Sequence, residues 1–251
     1  MIRGWKLTHR GCPTLRAFRR VGILFTLFLL SIGAQAQSLH AHVDVTHNGH
    51  PVKDASKAVI WLTPVGSPAD PPQQDPAHIP QLVQHNKSFE PSLVVVPVGG
   101  KVEFPNHDPF FHNVFSMFEG KRFDLGLYES GTTRFVQFDK PGVSFIFCNI
   151  HAQMSAVIIA LATPYYAISD ARGEITIADV PPGRYELKVF HADVTPNALH
   201  ALDREITVTT ATSTLGNFTL AETDVTLAHK NKYGRDYDRP SPDSPAYALP
   251  Q

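Results

Sequence analysis

After Ala36 almost every apolar stretch alternates with period two and stops at a glycine or a proline, a pattern that commits the chain to antiparallel sheet. Tyr185, Leu187 and Val189 alternate cleanly behind the turn Pro181-Pro182-Gly183. Convincing amphipathic helices are absent, so the expected class is all-β. Leu93 to Val98 and Lys101 to Phe104 flank Gly99-Gly100 as one hairpin, and Thr133 to Phe138 and Val143 to Cys148 flank Asp139-Lys140-Pro141-Gly142 as another. In the last of these strands Ser144, Ile146 and Cys148 share one face and Val143, Phe145 and Phe147 the other. Ser155 to Leu161 is a continuous apolar run of the kind found in buried strands.

The N-terminus carries Arg3, Lys6, Arg10, Arg16, Arg19 and Arg20 ahead of the apolar run Val21 to Ala34, with no acidic residue. That is the pattern of a secretory leader, residues 1–36, with small residues at Ala34-Gln35-Ala36 for cleavage; an uncleaved N-terminal anchor is the alternative. Nothing after Ala36 is apolar enough to span a bilayer. Removing the leader takes away six of the 22 basic residues and none of the 23 acidic ones, leaving a net charge near −7. Such a surface argues against nucleic acid or anionic lipid and suits a basic protein partner. The tail, 222–251, is polar and rich in proline from Pro240 onward, and reads as disordered.

Cys12 lies inside the leader, so the exported chain keeps Cys148 alone and forms no intramolecular disulfide. A single cysteine in an exported protein is a chance buried thiol, an intermolecular bridge or a metal ligand. Cys148-Asn149-Ile150-His151-Ala152-Gln153-Met154 places a thiolate, an imidazole and a thioether in one loop between two strands. Those are ligands that copper prefers, and two histidines, one cysteine and a weak axial methionine make the blue-copper set. The second histidine must come from elsewhere: His112 follows the strand Lys101 to Phe104, and His107, in the turn-like Pro105-Asn106-His107-Asp108-Pro109, competes with it. His40, His42, His47 and His50 could hold Cu(II) or Zn(II) loosely, although exposed strand-edge histidines need no metal. His191 and His200 read as surface or core residues. Phe104, Phe110, Phe111, Phe115, Phe145 and Phe147 read as core and as a dry wall around the site.

With His112-Asn113 upstream of Cys148, His151 and Met154, residues 78–162 resemble a cupredoxin, a Greek-key β-sandwich, with the short ligand loop of amicyanin. The resemblance implies one type 1 copper ion held by Cys148, His112 and His151, with Met154 axial. It further implies that Asn113 ties the two ligand loops together and that a backbone amide there donates to the sulfur. Gly173-Glu174-Ile175-Thr176-Ile177-Ala178-Asp179-Val180-Pro181-Pro182-Gly183-Arg184-Tyr185 resembles the end of a carboxypeptidase regulatory-like (transthyretin-like) sandwich, and Asn48-Gly49-His50-Pro51-Val52-Lys53-Asp54-Ala55 its beginning. The expected organisation is therefore residues 38–64 and 163–221 as one sandwich, with the cupredoxin unit inserted between. The combination resembles a group labelled methylamine utilisation proteins.

The function implied is an exported, periplasmic single-electron carrier, not an enzyme, because four protein ligands leave no open position on the metal. Its electron would leave by the exposed edge of His151 to a redox partner such as a c-type cytochrome or a dehydrogenase. A periplasmic copper carrier that docks through its sandwich is the alternative. It would favour methionine-rich or histidine-rich loops, whereas Met117 and Met154 are the only methionines after the leader.

Overall fold

The computed structural model describes residues 36–66, 72–117, 120–223 and 230–237. The expected leader lies outside them except for Ala36. The strands are β1 (Gln37–His47), β2 (His50–Pro51), β3 (Val59–Pro64), β4 (Val83–His85), β5 (Ser88–Glu90), β6 (Leu93–Pro97), β7 (Lys101–Pro105), β8 (His112–Ser116) and β9 (Phe123–Tyr128). They continue as β10 (Thr133–Gln137), β11 (Gly142–Phe147), β12 (Ser155–Leu161), β13 (Tyr166–Ile168), β14 (Glu174–Val180), β15 (Gly183–Phe190), β16 (Arg204–Val208) and β17 (Thr214–Glu222). One short helix, Pro196–His200, is capped by the Thr195 hydroxyl and joins β15 to β16. The class is all-β, and no helix among the described residues is long and apolar enough to cross a membrane.

Two sheets come from the ends of the described chain. One runs β14-β1-β17 with β2 on β1, and the other runs β13-β3-β15-β16. Leu39, Val43, Ile60, Leu62, Ile177, Leu187 and Phe218 fill the space between them. The chain leaves this sandwich after β3 and returns in β13, and these two strands are antiparallel neighbours, with Tyr166 opposite Trp61. Strands β4 to β12 lie between, in a five-stranded sheet β6-β12-β11-β8-β9 and two-stranded sheets β10-β7 and β4-β5. Their core holds Leu82, Phe104, Val114, Phe138, Ile146 and Ile158.

β12 explains its own lack of alternation. Val157, Ile159 and Leu161 belong to the first core, while Ala156, Ile158 and Ala160 belong to the second. Val143 and Phe145 of β11 and Leu93 and Val95 of β6 also pack on the first core. One face of this sheet thus serves each core, and both faces must be apolar. Each fully buried aliphatic side chain in this shared layer stabilises the fold by about 1.5–3 kcal/mol.

The two expected hairpins are not hairpins. β6 pairs in parallel with β12, whereas β7 pairs with β10, so Gly99-Gly100 carries the chain from one sheet to the other. β11 pairs with β12 and β8, so the turn 139–142 also changes sheets. The two turns are held to one another by Gly99 N–H on Phe138 O at 2.7 Å and Phe138 N–H on Gly100 O at 2.8 Å. Alternation records which face of a strand is buried and leaves its neighbour open.

Gly173, at the start of the motif before β14, shows why that position takes glycine. Its φ is +81°, and a Cβ there would stand 2.1 Å from the carbonyl oxygen of Val43. The strand on the other side depends on this approach, since Val43 N–H donates to Gly173 O at 2.8 Å. Gly173→Ala is expected to destabilise the protein by about 2–3 kcal/mol, read as a lower urea midpoint at unchanged slope.

Candidate metal centre

The turn between β7 and β8 is built by two buried side chains. Asn106 donates from Nδ2 to Phe110 O at 2.9 Å and accepts at Oδ1 from Asp108 N–H at 3.0 Å. Asp108 is 3% exposed, and its carboxylate accepts from the backbone N–H groups of Asn86 at 2.7 Å and Lys87 at 2.9 Å. Burial raises its pKa, but these two N–H groups and His112 outweigh it and hold Asp108 below the usual carboxylate range. The buried anion takes a third hydrogen bond from His112 Nε2 at 2.7 Å. That bond fixes the tautomer: Nε2 carries the proton, and Nδ1 of His112 turns its lone pair inward.

Cys148 follows β11 and sits at the head of the loop that leads to β12. The loop is closed by Met154 N–H on His151 O at 3.0 Å and Cys148 N–H on Met154 O at 3.3 Å. Its geometry brings Cys148 Sγ to 3.6 Å from His112 Nδ1 and 3.7 Å from His151 Nδ1, with the two Nδ1 atoms 3.2 Å apart. Cys148, His112 and Met154 are fully buried, and His151 is 6% exposed. Met154 shares the second core with Cys148. Backbone N–H groups of Asn113, Ile150 and His151 point at the sulfur.

These donors fit a small soft cation. A triangle with edges of 3.2, 3.6 and 3.7 Å has a circumscribed radius of about 2.0 Å, against about 2.0–2.1 Å for metal–imidazole and about 2.3 Å for metal–thiolate bonds. Protonation is disfavoured on the imidazoles: burial lowers the pKa of His112 despite Asp108, and burial followed by His112 and Lys87 brings His151 down to about 4. Burial pushes the Cys148 thiol up, against the pull of its three backbone N–H groups. Two neutral imidazole nitrogens thus face one another and a thiol in a dry pocket, where a bound cation would satisfy all three.

Of the residues singled out in the sequence, His112, Cys148 and His151 converge and Met154 lies in the same core. His107 is exposed and its backbone N–H bonds to Gln84 O, so it is not at the centre. Asn113 differs from the expectation in part: its backbone N–H faces the sulfur, but its side chain donates to Asp124 on β9 at 2.6 Å and not to the ligand loop. His151 does not present an exposed edge, because the Phe110 ring stands 5.6 Å from it. The histidines of β1 are engaged separately, His40 with Thr176 and His42 with Asp44 and Glu174.

His191, 5% exposed, lies near Asp193 and Glu222 at the far ends of β15 and β17. Its Nδ1 accepts from Asp193 N–H at 3.3 Å, and its Nε2 stands 3.8 Å from Glu222. Asp108 was missed in the sequence because its role depends on a turn, not on a spacing; the Asp108-Pro109 pair signalled only that the chain bends there.

A scan against protein-family models finds no match, and a search of curated proteins finds none. Among solved structures the chain is similar to a purple cupredoxin from Nitrosopumilus maritimus at 21% identity, over 33% of this chain and 99% of that one, with a TM-score of 0.30. It is similar to a reduced Cu(I) form of an amicyanin mutant at 16% identity, over 41% and 98%, with a TM-score of 0.32. It is also similar to a copper-containing nitrite reductase from Thermus scotoductus SA-01 at 23% identity, over 47% of this chain and 28% of that one, with a TM-score of 0.33.

Proposed function

We propose that the chain is an exported type 1 copper protein that carries single electrons. The observation that supports this most is the convergence of Cys148 Sγ and the Nδ1 atoms of two neutral imidazoles in a buried triangle, with His112 locked in the ligating tautomer by Asp108. His112, Cys148 and His151 would hold the ion, with Met154 as the weak axial ligand. Copper bound there would supply a one-electron couple. The protein's part is to keep the donors in one geometry for both oxidation states and to keep water out.

The way out for an electron runs past Phe110 towards Phe111, which is 56% exposed, and not from an open imidazole edge. Leu127, opposite Asn113 on β9, is 58% exposed, and we assign it with Phe111 to contact with a redox partner such as a c-type cytochrome or a dehydrogenase. With four protein ligands the ion has no position for a substrate, so we read the chain as a carrier and not an enzyme. The expected compartment is the periplasm, and the regulatory-like sandwich would serve as a spacer or docking module.

The test is the visible and EPR spectrum of the purified protein loaded with Cu(II). An intense thiolate-to-copper band with narrow hyperfine splitting, lost in Cys148→Ser, is the expected result. A spectrum unchanged by that substitution would remove Cys148 from the ligand set and with it this function. Reversible redox cycling with copper retained supports a carrier of electrons; transfer of the copper to an apo-acceptor would point to a carrier of the metal.

A further inference from the structure

Residues 230–237 fold into a turn of their own. Asn231 Oδ1 accepts from the N–H groups of Tyr233 and Arg235, both at 3.0 Å, and Asn231 N–H donates to Arg235 O at 2.8 Å. Gly234 N–H donates to Asn231 O at 2.9 Å, with Gly234 at φ +74°. Such an Asx-centred turn presents its neighbours in fixed directions. Here they point at the ligand loop.

Tyr237 donates from its hydroxyl to the carbonyl of Cys148 at 2.7 Å. Lys232 N–H donates to Asn149 Oδ1 at 2.9 Å. Both contacts fall on Cys148 and the residue that follows it, at the point where the chain leaves β11 for the loop. Lys232 Nζ reaches the other side of the centre, donating to Asp124 Oδ2 at 2.8 Å, and the lysine is only 18% exposed there. Asp124 Oδ1 in turn accepts from Asn113, the residue after His112. An unbroken chain of hydrogen bonds therefore runs from the strand of His112 through Asp124 and Lys232 to the loop of Cys148. Asn113 does not span that gap by itself, because its amide ends on β9.

We infer that residues 230–237 are a strap that holds the loop Cys148–Met154 against the strand carrying His112, with Lys232 and Tyr237 as its positioning residues. The inference deepens the proposed metal centre and rests on it for the purpose of the strap. A loop held at both its first residue and its partner strand opens less often, so the thiol is shielded and the donor atoms keep their separations. The contacts of Lys232 and Tyr237 fall on Asn149, Asp124 and the Cys148 carbonyl. Their influence is on the frequency of opening and on the spacing of Cys148 from His112.

Two measurements on the full chain in a Cys12→Ser background decide it. In the copper-free protein, the rate at which Cys148 reacts with an aryl disulfide reagent is followed by the coloured thiol released. Lys232→Met with Tyr237→Phe removes one hydrogen bond on the loop, at Cys148 O, and one on β9, at Asp124, while the backbone bond of residue 232 to Asn149 stays; it is expected to react about tenfold faster than the parent. Lys232→Arg, which keeps a cation opposite Asp124, is expected to react at the parent's rate. The urea midpoint of the double variant, measured alongside, separates loop opening from global unfolding.

In the copper-loaded protein, release of copper to excess chelator is expected to accelerate by a similar factor in the double variant, with a shifted thiolate band. A double variant that reacts and releases within about twofold of the parent overturns the strap and leaves the metal centre standing. If the parent shows no thiolate band, the metal centre falls, and the copper-free reaction rate still decides whether the strap shields the thiol.

Discussion

Asp108→Ala is expected to destabilise the protein by about 4 kcal/mol and to weaken copper retention by ten- to a hundredfold. The first figure follows from what the substitution strands. The backbone N–H groups of Asn86 and Lys87 and the Nε2–H of His112 all end on this carboxylate, which is 3% exposed. A buried donor left without an acceptor costs about 1–3 kcal/mol, more where the lost partner was charged. The second figure is the usual effect of removing the group that orients a ligating imidazole, about 10–100-fold in metal affinity. Asp108→Asn keeps one carbonyl oxygen and should fall between parent and alanine in both respects. Urea unfolding followed by circular dichroism measures the first, and competition for copper against a chelator measures the second. A stable Asp108→Ala protein that holds copper as the parent does would show that the turn, and not the carboxylate, sets His112.

Ile159→Ala is expected to cost about 3–4 kcal/mol and to lower the stability of both sandwiches together. Ile159 is fully buried in β12, opposite Val143 and beside Val95, and its side chain enters the first core although the strand belongs to the sheet of the metal centre. Truncating a fully buried isoleucine removes about 2–5 kcal/mol through lost burial and the cavity left behind. Because Ile158, the residue before it, faces the other core, one strand couples the two. The expected observation is a single transition at a lower midpoint, identical by far-ultraviolet circular dichroism and by the copper spectrum. Two separated transitions, with the metal centre unaffected by Ile159→Ala, would mean that the shared layer does not couple them.

The periodicity of the chain determined a good deal by itself. Strand β15 stands close to where alternation and the turn Pro181-Pro182-Gly183 put it, because Tyr185, Leu187 and Val189 are buried while Arg184 and Glu186 are exposed, and such a strand announces itself. The convergence of His112, Cys148 and His151 was legible from residue chemistry, since few arrangements other than a metal site ask for a thiol, two imidazoles and a thioether around one loop. Pairing was another matter. β6 and β7 read as a hairpin and lie in different sheets, because β6 is covered on both faces and a side-chain pattern cannot say which strand supplies the next hydrogen bonds.

The features that only the tertiary structure decided share one physical cause. Asp108 acts through the closure of a turn onto Asn86 and Lys87, some twenty residues earlier in the chain. Asp124 and Lys232 meet across 108 residues, and Tyr237 reaches Cys148 across 89. Hydrogen bonds between polar side chains and distant backbone leave no period and no fixed spacing in a sequence, since their geometry exists only after the sheets have packed. Sequence alone therefore named the side chains of the candidate site, which is a matter of chemistry. Their tautomers, their burial and the groups that hold them in place belong to the fold.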